Sequence, residues 1–287
     1  MVIRPTLSKL KAKFGQYKRL FQFQQQLEKN EEILIVHQMG KVGSSSVLAS
    51  LEKHFNQPIL HTHFLNQERL NAHLLTRKNK GLKISEHLKI AQSINQKIPS
   101  LLSNRKWKII TLVREPIARN ISAYFQNLDQ EHIKNCLNQY QDNIIELEEI
   151  INYFFQNYSH DIPLKWLDWE IKDVFGIDVY KSSFIPQKGY QLYAYKNIDL
   201  LLIRLENLSE CWNEAIEKLS ISQDSNNSIQ LQQSNISKDK KYSSLYTEFI
   251  DQIKIPKSYV EKMYNSQYAK QFYDEQEIKK FTQYWLN

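Results

Sequence analysis

The pattern of hydrophobic and polar positions predicts short strands that alternate with helices. "EEILIVHQM", residues 31–39, is an apolar run that closes in a glycine turn, which is typical of a buried strand. "QPILHTHFL" (57–65) and "KWKIITLVREP" (106–116) are predicted as the second and third strands. "GIDVYKSSF" (176–184) is predicted as another strand, and "YQLYAYKNIDLLLIRLENL" (190–208) contains two candidates.

Helical periodicity fills the intervals between these strands. Helices are predicted over 44–55, 66–79, 83–97, 117–127, most of 131–175, and 206–219. The polar, low-complexity stretch 220–241 is predicted as a loop, and the tail 242–287 as two or three helices rich in Tyr and Phe. The alternation predicts an α/β fold, a three-layer sandwich around a central parallel sheet with a helical C-terminal tail.

Two charged turns follow predicted strands, one after Val36 and one after Val113. In parallel sheets ligands bind beyond the carboxyl ends of the strands. The two turns are therefore predicted to form one site, provided that their strands are close together in the sheet.

Charge is concentrated at the N-terminus. Residues 1–30 hold seven Lys and Arg and one Glu, a charge of +6 out of +7 for the 287-residue chain. We predict a basic amphipathic arm over 1–30 and a single α/β domain over 31–287. The nearly neutral remainder argues against a nucleic-acid partner. The arm is predicted to pack on the body as a helix, and the alternative is a peripheral contact with anionic lipid.

Cysteines and apolar runs exclude several classes of protein. The chain has only 2 Cys, in no CxxC or His-rich spacing, so no metal site is expected. A disulfide-stapled secreted fold is excluded, which favours a reducing compartment. No run of 18 apolar residues occurs, so no transmembrane helix is predicted. The expected location is cytoplasmic, with membrane association through residues 1–30 left open.

The turn "GKVGSSS", residues 40–46, has the parts of an anion cradle. Gly40 and Gly43 let backbone N–H groups face a ligand, and the following helix adds a partial positive charge. Lys41 adds a full charge, and hydroxyls come from Ser44, Ser45 and Ser46. The alternative is a tight strand-to-helix turn capped by a serine.

This turn differs from the phosphate loop of nucleotide triphosphatases. That loop reads G-x-x-x-x-G-K-[ST]. Ile35 occupies the place of its first glycine, and Val42 occupies the place of its magnesium-binding hydroxyl residue. Both differences count against a P-loop kinase, which is kept as an alternative function.

The second turn, "REPIARNISAYF" (114–125), carries an Arg and a Ser eight residues apart. Arg114 at the strand end and Ser122 two helical turns later could both contact one phosphate, with a two-pronged contact from the guanidinium. Arg119 is a lesser candidate. The alternative is a surface ion pair between Arg114 and Glu115.

Together the two motifs resemble those of sulfotransferases that use 3′-phosphoadenosine 5′-phosphosulfate (PAPS), above all carbohydrate sulfotransferases and their bacterial relatives. The resemblance implies a P-loop-like sulfotransferase fold. It also implies that "GKVGSSS" holds the 5′-phosphosulfate and that Arg114 and Ser122 bind the 3′-phosphate. The implied nucleotide contacts are Gly40, Lys41, Val42, Gly43, Ser44, Ser45, Ser46, Arg114, Ser122 and Lys238.

Two later stretches are similar to parts of related proteins. "SNISKDKKY" (234–242) is similar to the loop that closes over the nucleotide in these enzymes. There Lys238, Lys240 and Lys241 are candidate phosphate contacts, and a solvated charge run is the alternative. "PLKWLDWEIKDVFGIDVY" (163–180) resembles bacterial proteins described as capsular polysaccharide synthesis proteins.

The resemblance implies transfer of a sulfuryl group from PAPS to a hydroxyl of a glycan, with no metal. Lys41 would neutralise the leaving phosphate oxygen. His61 or His63 would accept the proton of the acceptor hydroxyl, because related heparan-type enzymes have an H-x-H pair at this point. Weaker candidates for the base are His37, Glu206 and Glu115.

Two further hypotheses remain from the sequence. Trp166 and Trp169 could stack on a sugar, but their spacing on a helix favours packing. A non-catalytic glycan- or nucleotide-binding protein of the same fold is the other alternative function. That protein would lack the lysine or the base, and the lysine and histidines of this chain argue against it.

Overall fold

A computed structural model describes residues 18, 21–56, 58–221, 229–232 and 240–287. It is a mixed α/β structure built on one five-stranded sheet. The strands are β1 (Glu32–His37), β2 (Leu60–Thr62), β3 (Lys106–Val113), β4 (Tyr190–Tyr195) and β5 (Ile198–Arg204). Their order is β2-β1-β3-β5-β4, and every neighbouring pair is parallel except β4 with β5. The predicted parallel sheet is confirmed apart from this edge hairpin.

The hairpin is antiparallel because only Lys196 and Asn197 join its strands. A parallel pair needs a crossover of a dozen or more residues. Lys196 has a φ of 55°, as expected in such a tight turn.

The direction in which the chain adds strands to the sheet reverses between β1 and β3. From β1 the chain moves to β2 on one side, and it then returns to place β3 on the other side of β1. Val36 is in register with His61 on β2 and with Ile110 on β3. The two charged turns therefore leave neighbouring strands at a topological switch point, the usual ligand site of such sheets.

Both faces of the central strands are covered. Seven consecutive residues of β3 are buried, and six of the seven in β5. Such continuous burial is typical of parallel strands between two layers. The one buried charged residue of β3 is Lys108, whose ammonium lies 2.9 Å from a carboxylate oxygen of Glu32 and donates to the carbonyl of Ser220.

Helices make up most of the rest. Residues 21–29 form α1. The others are α2 (Ser44–Phe55), α3 (Gln67–Asn79), α4 (Glu86–Asn95), α5 (Ile98–Asn104), α6 (Pro116–Asn127), α7 (Cys136–Gln141), α8 (Leu147–Asn157), α9 (Ile162–Leu167), α10 (Asp173–Phe175), α11 (Leu208–Lys218), α12 (Ser243–Gln252), α13 (Lys257–Tyr264), α14 (Gln267–Phe272) and α15 (Glu275–Leu286). Single π-helical turns span Leu128–His132 and Asp168–Lys172.

Three predictions of secondary structure were wrong. "GIDVYKSSF" is not a strand: it holds a 3₁₀ turn, Val179–Lys181, in which the Asp178 carboxylate accepts from the N–H of Tyr180. Helix α5 was missed, although a proline in its first turn is a helix-start signal. The tail contains four helices because Pro256, Ser266 and Asp274 each start a new one.

The core has two parts. One hydrophobic cluster surrounds the sheet, and the other joins α6 and α8 to the C-terminal helices. Phe23 and Leu27 of α1 are buried in the first cluster, so the described part of residues 1–30 packs on the body. Among the described residues no helix combines the length and apolar character needed to cross a bilayer.

Candidate functional site

A cleft of about 1620 Å³ opens at the carboxyl ends of β1, β2 and β3. Its walls include the loop after β1, the end of β2 and the start of α6. A typical small-molecule pocket has roughly 300–1,000 Å³. The cleft is therefore large enough for a nucleotide and part of a second molecule.

The loop after β1 has an unusual backbone. Lys41 has a φ of 71°, a left-handed conformation that is uncommon for a residue with a side chain. Such strain is concentrated at functional sites. Val42 is fully buried and is not among the residues that line the cleft. Gly40, Lys41 and Gly43 line the cleft.

The start of α2 faces the cleft through three serines. Gly43, with a φ of 96°, is the N-cap, and no side chain caps the helix. The alternative of a serine-capped turn is therefore wrong. The lining serines at this helix N-terminus are Ser44, Ser45 and Ser46.

We expect Gly43→Ala to destabilise the protein by about 1–3 kcal/mol. An added Cβ would lie 2.5 Å from Cδ1 of Leu205, in a backbone conformation that alanine rarely adopts. Gly40→Ala is the matched control, since nothing lies within 4 Å of its added Cβ. Urea unfolding of both variants measures the difference. Equal stabilities of the two variants would contradict this account of the turn.

Two arginines hold the loop from the side of β3 and α6. Nη1 of Arg114 donates to the carbonyl of Lys41 at 3.1 Å. Nε of Arg119 donates to the carbonyl of Gly40 at 3.0 Å, and its Nη1 donates to the hydroxyl of Tyr158. These bonds fix the loop carbonyls on the arginine side. Both arginines also line the cleft.

The backbone of Arg114 is itself fixed by Tyr268. The Tyr268 hydroxyl accepts from the N–H of Arg114 at 3.0 Å and donates to its carbonyl at 2.8 Å. The Glu115 side chain is buried and accepts from the N–H groups of Ile117 and Ala118. Glu115 therefore caps α6, and the alternative of a surface ion pair with Arg114 is wrong.

Positive charge converges on Lys41. Burial, reinforced by the charges of Lys240, Arg114 and Arg119, lowers the pKa of Lys41 to about 8. An anion bound in the cleft would relieve this repulsion. Ser122 also lines the cleft.

The three candidate lysines of the late loop differ in placement. Lys240 lines the cleft, whereas Lys241 is exposed. Lys238 lies outside the residues that the structure describes.

The histidines at the end of β2 form a cluster with one from α4. His61 and His63 line the cleft, with ring centroids 4.7 Å apart. His87 lies 4.5 Å from His61 and 4.8 Å from His63, measured between ring centroids. Burial, followed by the effect of His87, lowers the pKa of His63 to about 3. His63 is therefore neutral at neutral pH.

The remaining candidate bases do not line the cleft. His37 is fully buried, and its Nδ1 lies 2.7 Å from the hydroxyl of Thr62. Glu206 accepts from the N–H of Glu115 at 2.7 Å and from the hydroxyl of Tyr273. These contacts indicate structural roles for His37, Glu115 and Glu206.

The tryptophan segment supports the histidines. Trp166 is 2% exposed and donates from Nε1 to the carbonyl of His63 at 3.1 Å, which confirms that it packs. The guanidinium carbon of Arg69 lies 3.5 Å from the ring centroid of Trp169 and covers one face of that ring. Glu170, fully buried, accepts from the N–H groups of Leu65 and Asn66.

Sequence reasoning missed several residues of the cleft. His87 lies 24 positions from His63, in no ligand spacing, and only the contact of α4 with β2 brings it in. Arg69, Arg77 and Lys80 line the cleft from α3 and its C-terminus. Their basic character is visible in the sequence, but the helix face that they share with the site is not.

The fold and the cleft define an α/β protein with a basic cleft at the switch point of a mostly parallel sheet. Residues 141–274, a little under half of the chain, match a family model described as "Putative capsular polysaccharide synthesis protein". The predicted resemblance to capsular polysaccharide synthesis proteins is thereby confirmed. Neither the curated proteins nor the solved structures gave a match.

Proposed function

We propose that this protein is a PAPS-dependent sulfotransferase acting on a hydroxyl of a polysaccharide. The observation that carries the proposal is that Lys41, the start of α2, Arg114 and Ser122 all line one cleft. Two separate anion sites, one at each charged turn, suit a nucleotide with a 5′-phosphosulfate and a 3′-phosphate. The P-loop-like sulfotransferase fold belongs to the same proposal.

The chemistry requires positioning and charge neutralisation. The acceptor oxygen attacks sulfur in line with the leaving phosphate oxygen, on which negative charge develops. Lys41 would neutralise that oxygen, and its position in the loop directly before the helix that would hold the 5′-phosphate supports this role. Ser44, Ser45 and Ser46 would bind that phosphate through hydroxyl and N–H groups. The acceptor's proton would pass to the histidine cluster through His61 or His63.

The remaining space and charge suit an anionic glycan. Bases outnumber acids along the lining: Lys41, Arg69, Arg77, Lys80, Arg114, Arg119, Lys240 and Lys262 against Glu68, Glu131 and Asp161. Such a cleft raises the local concentration of a polyanion. Together with the family match, this favours an acid-bearing capsular polysaccharide as the acceptor.

Thermal unfolding with adenosine 3′,5′-bisphosphate (PAP), with ATP–Mg and with buffer alone tests the proposal. We expect PAP to raise Tm, because a ligand that binds only the native state at 100 times its Kd adds about 2.7 kcal/mol of stability. ATP–Mg should add much less. A response to ATP–Mg without one to PAP would favour a kinase instead.

Two variants locate the 3′-phosphate in this experiment. Arg114→Ala should reduce the shift caused by PAP, but its guanidinium also holds the Lys41 carbonyl. Ser122→Ala removes one hydroxyl at the second turn and should weaken PAP binding by about 0.5–1.5 kcal/mol. Ser100→Ala, an exposed serine outside the cleft, is the control. An undiminished shift in both cleft variants would contradict the assignment.

A further inference from the structure

Three imidazole rings converge at one wall of the cleft. The ligand nitrogens of His61, His63 and His87 all lie within 4.8 Å of one another. His61 is 6% exposed, while His63 and His87 are half-buried. Among the described residues this is the one group of His, Cys, Asp or Glu side chains with the spacing of a metal site.

Two structural elements bring the rings together. His61 is the middle residue of β2, and His63 directly follows that strand. His87 is in the first turn of α4, which packs against β2. The ligands are thus held on a central sheet and a packed helix, which fixes a site more firmly than a loop does.

The tautomer of His63 is set by its surroundings. Its Nδ1 lies 2.6 Å from the carbonyl of Gln38, so Nδ1 carries the hydrogen and Nε2 presents its lone pair. A histidine that binds a metal commonly donates its other N–H to a backbone carbonyl in this way. The indole N–H of Trp166 also donates to the backbone carbonyl of His63 and further fixes that residue.

We infer that His61, His63 and His87 form a binding site for one divalent transition metal of the zinc class. Nitrogen donors without a carboxylate suit Zn²⁺ or Co²⁺ and do not suit Ca²⁺ or Mg²⁺. Nitrogens on a tetrahedral zinc are about 3.3 Å apart at a bond length of about 2.0–2.1 Å, so small side-chain rotations close the site. Three protein ligands leave a fourth position toward the cleft, as in catalytic zinc sites.

The inference does not depend on sulfuryl transfer, but it changes one step of the proposed reaction. With the three rings bound to zinc, neither His61 nor His63 can accept the proton. A zinc-bound hydroxide would take the acceptor's proton and become bound water. The acceptor oxygen then forms the bond to sulfur, and the electron pair of the broken S–O bond stays on the phosphate oxygen beside Lys41.

Cobalt titration of the chelator-treated full chain tests the site. We expect one Co²⁺ per chain, with the intense visible absorption of a four-coordinate ion, and displacement of that ion by one Zn²⁺. No such absorption and no metal bound by equilibrium dialysis would overturn the inference. The readout needs neither PAPS nor an acceptor, so it can fail or succeed apart from the proposed function.

Two histidine variants, one inside the cluster and one outside it, distinguish this site from non-specific metal binding. His87→Gln removes a metal ligand. Losing only a hydrogen-bond partner of a ligand typically weakens metal binding about 10–100-fold, and His87→Gln should weaken Co²⁺ binding by more than that. His73→Gln is the matched control, because His73 lines the same cleft but stacks on Phe64 outside the cluster. His63→Gln provides a second ligand variant if His87→Gln does not fold. Unchanged binding in a folded ligand variant would overturn the assignment, as would an equal loss in His73→Gln.

Discussion

Lys41→Ala is expected to lower kcat about 100- to 1,000-fold, the usual cost of removing one group that stabilises charge in a transition state. The fold should survive the change. Lys41 already has a left-handed φ of 71°, so alanine adds no new class of backbone strain. Lys241→Ala, which removes an exposed lysine outside the cleft lining, is the matched control. PAP release from PAPS in the presence of desulfated chondroitin is one suitable assay.

The same residue predicts a pH dependence. Lys41 has a pKa lowered to about 8 and carries its charge below that pH. Therefore kcat/KM, which reports on the free enzyme, should fall as the pH rises through about 8. Lys41→Arg keeps its charge throughout this range and should lose the alkaline fall, whatever its absolute rate. Normal turnover by Lys41→Ala, or an unchanged alkaline limb in Lys41→Arg, would show that Lys41 has another role.

Glu170→Ala is expected to lower the free energy of unfolding by about 3–5 kcal/mol. The Glu170 carboxylate is fully buried and accepts from Leu65 N at 2.6 Å and Asn66 N at 2.9 Å. It also lies 3.5 Å from Nε2 of His37 and 3.9 Å from Nε of Arg69. Removing it leaves the buried N–H of Leu65 and the partly buried N–H of Asn66 without their acceptor. It also leaves His37 and Arg69 without the carboxylate beside them.

Denaturant unfolding of three variants makes this test specific. Glu170→Gln keeps the volume and one acceptor oxygen, so it should lose less than Glu170→Ala. Asp173→Ala changes an exposed acid in the adjacent helix and should stay within about 0.5 kcal/mol of the parent. A loss below about 1 kcal/mol in Glu170→Ala would mean that Leu65 and Asn66 find other acceptors.

Much of the sheet could be predicted because buried parallel strands are short apolar runs bounded by turn signals. β1, β3 and β5 follow that rule, and α2 begins and ends where its pattern predicts. "GIDVYKSSF" has the same local pattern and is not a strand. The Asp178 carboxylate accepts from the N–H of Tyr180 and stabilises a 3₁₀ turn there. The side-chain amide of Gln271 in α14 donates to the carbonyl of Val179. That second contact lies 92 positions away and cannot be read locally.

The residues of the site likewise include some that the sequence could predict and some that it could not. Lys41 and Arg114 could be found because each lies in a charged turn at the end of a predicted strand, and strand ends mark the ligand edge of a parallel sheet. His87 could not be found, since its role depends on how α4 packs against β2. The tie of Tyr268 to the backbone of Arg114 is likewise invisible, because it joins residues 154 positions apart.

The boundary of the family match has a consequence for how the chain can be divided. β5 lies inside residues 141–274, yet it pairs with β3 over seven residues outside that segment, from Trp107 to Val113. In a polypeptide that begins at residue 141, the edge of β5 that pairs with β3 would be exposed. That edge would present apolar residues and backbone N–H and C=O groups without hydrogen-bond partners. Such an edge is a template for self-association. The segment that resembles a known family is thus only part of a folding unit, and its own solubility depends on the strands that precede it.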